Sequence, residues 1–177
     1  MKAIYLLLIF AFIQSASAQD FCKLIKKEVS DDKSTFDFTS PYNPGEIPAV
    51  RVTRSYTNNP DFPSDNFYLI FYIVGNLEGI YEKTASGEQI EKEEKKLVVE
   101  FDDKTKVVDD SIKIIHDRTV DMLEAIRYVY CPMTDNNLKD FTTKKIVKFS
   151  LAGYEQTVPA DSANAMMHYV QCIKAVK

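Results

Sequence analysis

Tryptophan is absent from the 177-residue sequence, and only five glycines, two histidines and three cysteines occur. Each shortage removes a class of chemistry. No Gly-x-Gly-x-x-Gly or Gly-x-x-x-x-Gly-Lys loop can be assembled, so phosphate cradling by glycine-rich backbone has no support. No serine stands in a Gly-x-Ser-x-Gly elbow. His116 and His168 have no metal-ligand spacing around them and read as boundary residues. The cysteines, Cys22, Cys131 and Cys172, include no Cys-x-x-Cys pair, and zinc would need more Cys or His. Asp102-Asp103 and Asp109-Asp110 miss the EF-hand spacing for calcium and read as a turn and a helix start. No cofactor is implied, and nothing commits the chain to a reaction. Asn-x-Ser/Thr sequons are lacking too, so N-glycans are not expected. Basic clusters are short (Lys26-Lys27, Lys95-Lys96, Lys144-Lys145) and the net charge is −4, which argues against a nucleic-acid partner.

What is present begins with an export signal. Met1-Lys2, the apolar run Ala3 to Ile13 and the small residues Ala16 and Ala18 have the layout of a cleavable signal peptide over residues 1–18. The apolar run is shorter than the roughly 20 residues a membrane span needs, so no stable membrane anchor is expected. Residues 19–177 then form a single secreted, extracellular domain, long enough to bury a core without depending on disulfides. In an oxidising compartment three cysteines suggest one bridge and one remaining thiol, which is either buried or joins a second chain. The protein is accordingly a monomer or a disulfide-linked dimer.

Hydrophobic periodicity predicts an α+β fold. An antiparallel sheet of about five strands carries N-terminal, central and C-terminal helices. Phe21, Leu24, Ile25 and Val29 have helical spacing. Ala49 to Tyr56 alternates as a strand, and Phe67 to Val74 is an apolar, aromatic run suited to a central strand. Gly75-Asn76 suggests a hairpin into Leu77–Lys83, and Ser86 to Gln89 resembles a capping box opening a charged helix through Lys95. Leu97 to Phe101 alternates as a strand. Asp110 to Cys131 places Ile112, Ile115, Met122, Ile126 and Val129 on one helical face, which favours a long helix over a pair of strands turning near His116-Asp117-Arg118. A strand within 143–158 precedes a last helix capped by Asp161 or Ser162. Ala163, Met166, Met167, Val170 and Ile173 form its stripe, and Cys172 lies off that stripe. Another segment must therefore cover Cys172, which makes it the best candidate for the bridge, with Cys131 or Cys22 as partner.

The strand meander with a late helix resembles lipocalins, which would imply an all-β barrel with a C-terminal helix. The family's Gly-x-Trp motif is missing, however, and no residue is carried over. Aromatic density is the remaining signal. If one face of the Phe67–Val74 strand is covered, its other face, with Tyr68 and Tyr72, is free to bind, joined by Tyr81 and by Phe62 on its proline-flanked loop. Tyrosine combines apolar area with a hydroxyl. The leading expectation is a secreted non-catalytic binding protein for a small apolar or amphipathic ligand. The alternative is an effector or inhibitor that grips an extracellular protein through the 57–66 loop.

Overall fold

A computed structural model describes residues 21–41, 49–61, 63–75, 81–83, 85–86, 89–91, 96–117, 125–151 and 154–176. After a helical turn at 21–23 come the strands β1 (Lys26–Val29), β2 (Thr35–Thr39), β3 (Ala49–Thr57) and β4 (Ser64–Gly75). Next are β5 (Tyr81–Lys83), β6 (Gln89–Glu91), β7 (Leu97–Phe101), β8 (Lys106–Asp109), β9 (Ile114–Asp117) and β10 (Ala125–Pro132). Helix α1 (Asp135–Thr143), strands β11 (Ile146–Leu151) and β12 (Tyr154–Thr157), and helix α2 (Ala160–Ala175) complete the chain.

The fold is α+β, with a six-stranded antiparallel sheet in the order β1-β2-β3-β4-β10-β9 and a four-stranded one in the order β12-β11-β7-β8. β5 and β6 form a separate ribbon. Neither main sheet closes on itself, so the barrel alternative fails. The two sheets share one core: Phe71 of β4 meets Phe149 of β11 with ring centroids 5.0 Å apart. Leu69 and Phe71 from one sheet and Val99 and Phe101 from the other are fully buried. α2 packs on β3, on β11 and on α1, and so fills the space beside the two sheets. Period-two burial explains the strands. On β7, Leu97, Val99 and Phe101 turn inward while Val98 and Glu100 are half-buried.

Several expectations are corrected. The favoured helix over 110–131 is absent: β9 and β10 pair with each other, and β10 also pairs with β4 over its whole length. Arg127, Val129 and Cys131 are buried, whereas Tyr128 is half-buried and Tyr130 is 41% exposed. An apolar stretch with both faces occupied contains helical spacings by coincidence, and sheet pairing decides the outcome. The N-terminal helix shrinks to one turn, since residues 26–29 pair antiparallel with β2. Its supposed apolar stripe is open to solvent at Leu24 and Val29. Gln89–Glu91, placed in a helix by the capping-box spacing, is instead a strand paired with β5. β4 pairs with β3 and β10, and Tyr81–Lys83 pairs with β6, while the expected turn at Asn76 lies outside the described residues; the ends of the 57–66 loop belong to β3 and β4. α1 has no counterpart among the expected elements. α2 begins at Ala160 with Pro159 as its cap residue, ahead of Asp161 and Ser162.

Candidate functional site

The disulfide joins Cys22 to Cys172. Cys172 is buried on the side of α2 that the N-terminal segment covers. Around it Phe21 stacks on His168 at 5.0 Å and meets Tyr169 edge-on at 5.6 Å. Gln171 donates through Nε2 to the Thr142 carbonyl at 2.6 Å, so its Oε1 accepts from His168 Nδ1 at 3.1 Å. His168 therefore fastens the N-terminal segment to α2 and, through Gln171, links α2 to α1. The third thiol, Cys131, is 1% exposed, and burial pushes its pKa up to about 12. It is beyond the reach of a second chain, which removes the sequence-based route to a disulfide-linked dimer. The side chain of His116 lies outside the described residues.

Of the four residues singled out for ligand binding, the structure describes the side chains of Tyr68 and Tyr72. Phe62 lies outside the described residues, as does the side chain of Tyr81, whose backbone belongs to the β5–β6 ribbon. Tyr68 and Tyr72 sit on the side of β4 opposite Leu69, Phe71 and Ile73, as the alternation requires. There they meet Tyr130 and Tyr128 with ring centroids 5.6 Å apart in each pair, and Tyr128 meets Tyr130 at 5.8 Å. Ile70, between Tyr68 and Tyr72, is 6% exposed beneath these rings. The four tyrosines make a continuous outer face, and none of them belongs to the core cluster.

A concavity forms elsewhere, at the far end of β3. The inward row of this strand runs Val50, Val52, Arg54, Tyr56. The first two are covered by the core, and the last two lie where α2 ends. Arg54, Tyr56, Thr57, Pro63, Ser64, Asp65 and Val176 line a cavity of about 370 Å³ there. Arg54 is held on every side. Its Nε and Nη2 donate to Asp65 Oδ1 and Oδ2 at 2.8 and 2.7 Å. Its Nη1 donates to the carbonyls of Ile173, Lys174 and Val176 at 3.2, 3.3 and 2.9 Å. The guanidinium also lies over the rings of Tyr56 and Phe67, 6.0 and 5.8 Å from their centroids. The hydrogen bonds from Arg54 lower the Asp65 pKa, and those to Asp65 raise that of Arg54. Tyr56 is fixed by near-parallel stacking on Phe36 and Phe38, at 5.0 and 5.9 Å.

Sequence reasoning placed Tyr56 at the end of a strand and singled out neither Arg54 nor Asp65. Carrying the Val50, Val52 alternation two steps further would have placed Arg54 and Tyr56 on the covered face. Among the described residues no group of three His, Cys, Asp or Glu could hold a metal ion, and no helix is long and apolar enough to cross a membrane. No family model, curated protein or solved structure matches the chain.

Proposed function

We propose that this chain is an exported, non-catalytic binding protein that holds a small amphipathic ligand in the cavity between the β3–β4 hairpin and the end of α2. The cavity itself carries the reading. Its volume of about 370 Å³ falls within the roughly 300–1,000 Å³ of small-molecule sites, which are mostly apolar with a few fixed polar groups. Tyr56, Pro63 and Val176 supply the apolar walls, and the Arg54–Asp65 pair supplies the polar end. Export rests on the leader-like residues 1–18 and agrees with a Cys22–Cys172 bridge, which persists in oxidising surroundings.

Organic extraction of the purified protein followed by mass spectrometry tests the reading. A bound small molecule is expected from the natural chain and not from Val176→Trp, whose larger ring fills the cavity while its backbone carbonyl still accepts from Arg54. Empty extracts, with no quenching of tyrosine fluorescence by added amines, alcohols or fatty acids, contradict it.

The tyrosine face favours a second reading, an effector or inhibitor that binds an extracellular protein. Tyrosines and partly exposed aromatic surface are enriched where proteins meet. This moves the expected contact from the 57–66 loop to Tyr68, Tyr72, Tyr128 and Tyr130. Under this reading Tyr130→Ser abolishes capture of the partner at unchanged melting temperature. Undiminished capture rejects it.

A further inference from the structure

We propose that the cavity selects ligands whose polar end donates hydrogen bonds, a protonated amine above all, over ligands that end in a carboxylate. The inference rests on the cavity being a ligand site and names the head group that fits it. Arg54, the only cation among the described lining residues, would be the natural anchor for a carboxylate, but it is already engaged. Two of its nitrogens are forked on Asp65, and the third serves the Ile173, Lys174 and Val176 carbonyls. The guanidinium also lies over the rings of Tyr56 and Phe67. An entering carboxylate would have to draw the guanidinium away from Asp65 or from the helix end. Either move strips acceptors of a charge-assisted donor.

What the cavity offers instead is acceptor capacity. The Asp65 side chain is 54% exposed, and each carboxylate oxygen has lone pairs beyond those that Arg54 uses. Thr57 Oγ1 is engaged, donating to the Ser34 carbonyl and accepting from the Asn59 amide. Helix α2 bounds the cavity opposite Asp65. The cavity lies at the C-terminal end of this 16-residue helix, and Val176, just past that end, forms part of the wall. The carbonyls of Ile173, Lys174 and Val176 at that end accept from Arg54, so the remaining acceptor capacity is that of the Asp65 carboxylate. An ammonium beside Asp65 with its hydrocarbon against Tyr56, Pro63 and Val176 satisfies both halves of the lining.

Isothermal calorimetry of the natural chain at neutral pH, with phenethylamine, phenethyl alcohol and phenylacetate as probes, separates head group from apolar body. The amine is expected to bind about tenfold or more tightly than the carboxylate, with the alcohol between them. In Asp65→Asn the amine is expected to lose its advantage over the alcohol, so that the two bind equally. A mere loss of structure would instead abolish the binding of both. If Asp65→Asn does not fold, the ranking in the natural chain decides alone. Phenylacetate binding as tightly as the amine, with all binding lost in Val176→Trp, overturns the head-group preference and leaves the cavity as a ligand site. Absence of binding by all three probes overturns both.

Discussion

Arg54 shows how one side chain can join three parts of a chain. It sits on β3, forks on Asp65 at the start of β4, and donates to the carbonyls of Ile173, Lys174 and Val176 at the end of α2. Arg54→Met keeps much of the stem but leaves those acceptors without their donor. The expected cost is about 1–2 kcal/mol, kept modest because Asp65 faces water, and urea denaturation would measure it. Acid should weaken the same contact. Hydrogen bonds from Arg54 lower the folded pKa of Asp65, and Thr105 with Lys144 lowers that of Asp103 to about 2. A depressed folded pKa contributes stability that is complete above the unfolded value and lost as pH falls through the folded one. Stability should therefore decline from near the ordinary value of 3.8 down to about 2, and Asp65→Asn should flatten part of that slope. A flat profile over this interval contradicts the assignment. Cys131 yields a third expectation at this scale. With its pKa near 12 and 1% exposure, it should resist thiol reagents in the folded protein and react once the chain unfolds in denaturant.

Among the elements, β10 decides the architecture and was the hardest to read. Tyr130 completes a helical stripe with Ile126 and Val129, so the residues alone fit either geometry. Only the partners β4 and β9 distinguish them, and those pairings join residues far apart in sequence. The strand predicts its own mutational pattern. Val129→Ala should cost about 1–3 kcal/mol through lost burial, and Tyr130→Ala should cost distinctly less. A helix would not alternate in this way. β3, β4, β7 and α2 were legible because each has one period and clear ends: Leu97 to Phe101 alternates, and Pro159 stands just ahead of the last helix. The β5–β6 ribbon was not legible, since a capping-box spacing such as Ser86 to Gln89 also occurs by chance in polar turns. The need to cover Cys172 was readable from its place off the stripe. Cys22 as the covering residue depended on where the first turn docks. That bridge spans a sequence separation of 150 residues, so Cys22→Ser should cost about 2–5 kcal/mol, read as a lower denaturation midpoint.

At the scale of the whole molecule, the two outer sheet faces differ. The small sheet carries ion pairs outward: Lys148 with Glu155 at 3.1 Å and Lys106 with Glu100 at 3.2 Å. The large sheet carries the tyrosines. The cavity lies at neither face but where the cover of β3 runs out, and for that reason the strand pattern alone pointed to Tyr68 and Tyr72 rather than to Arg54, Tyr56 and Asp65. The central claim is that binding happens at this margin. An amide-resolved NMR titration of the natural chain with phenethylamine tests it most directly. The account predicts saturable shifts at Arg54, Tyr56, Asp65 and Val176, with Tyr68, Tyr72, Tyr128 and Tyr130 unmoved. Shifts confined to those four tyrosines, or none at all, would contradict it.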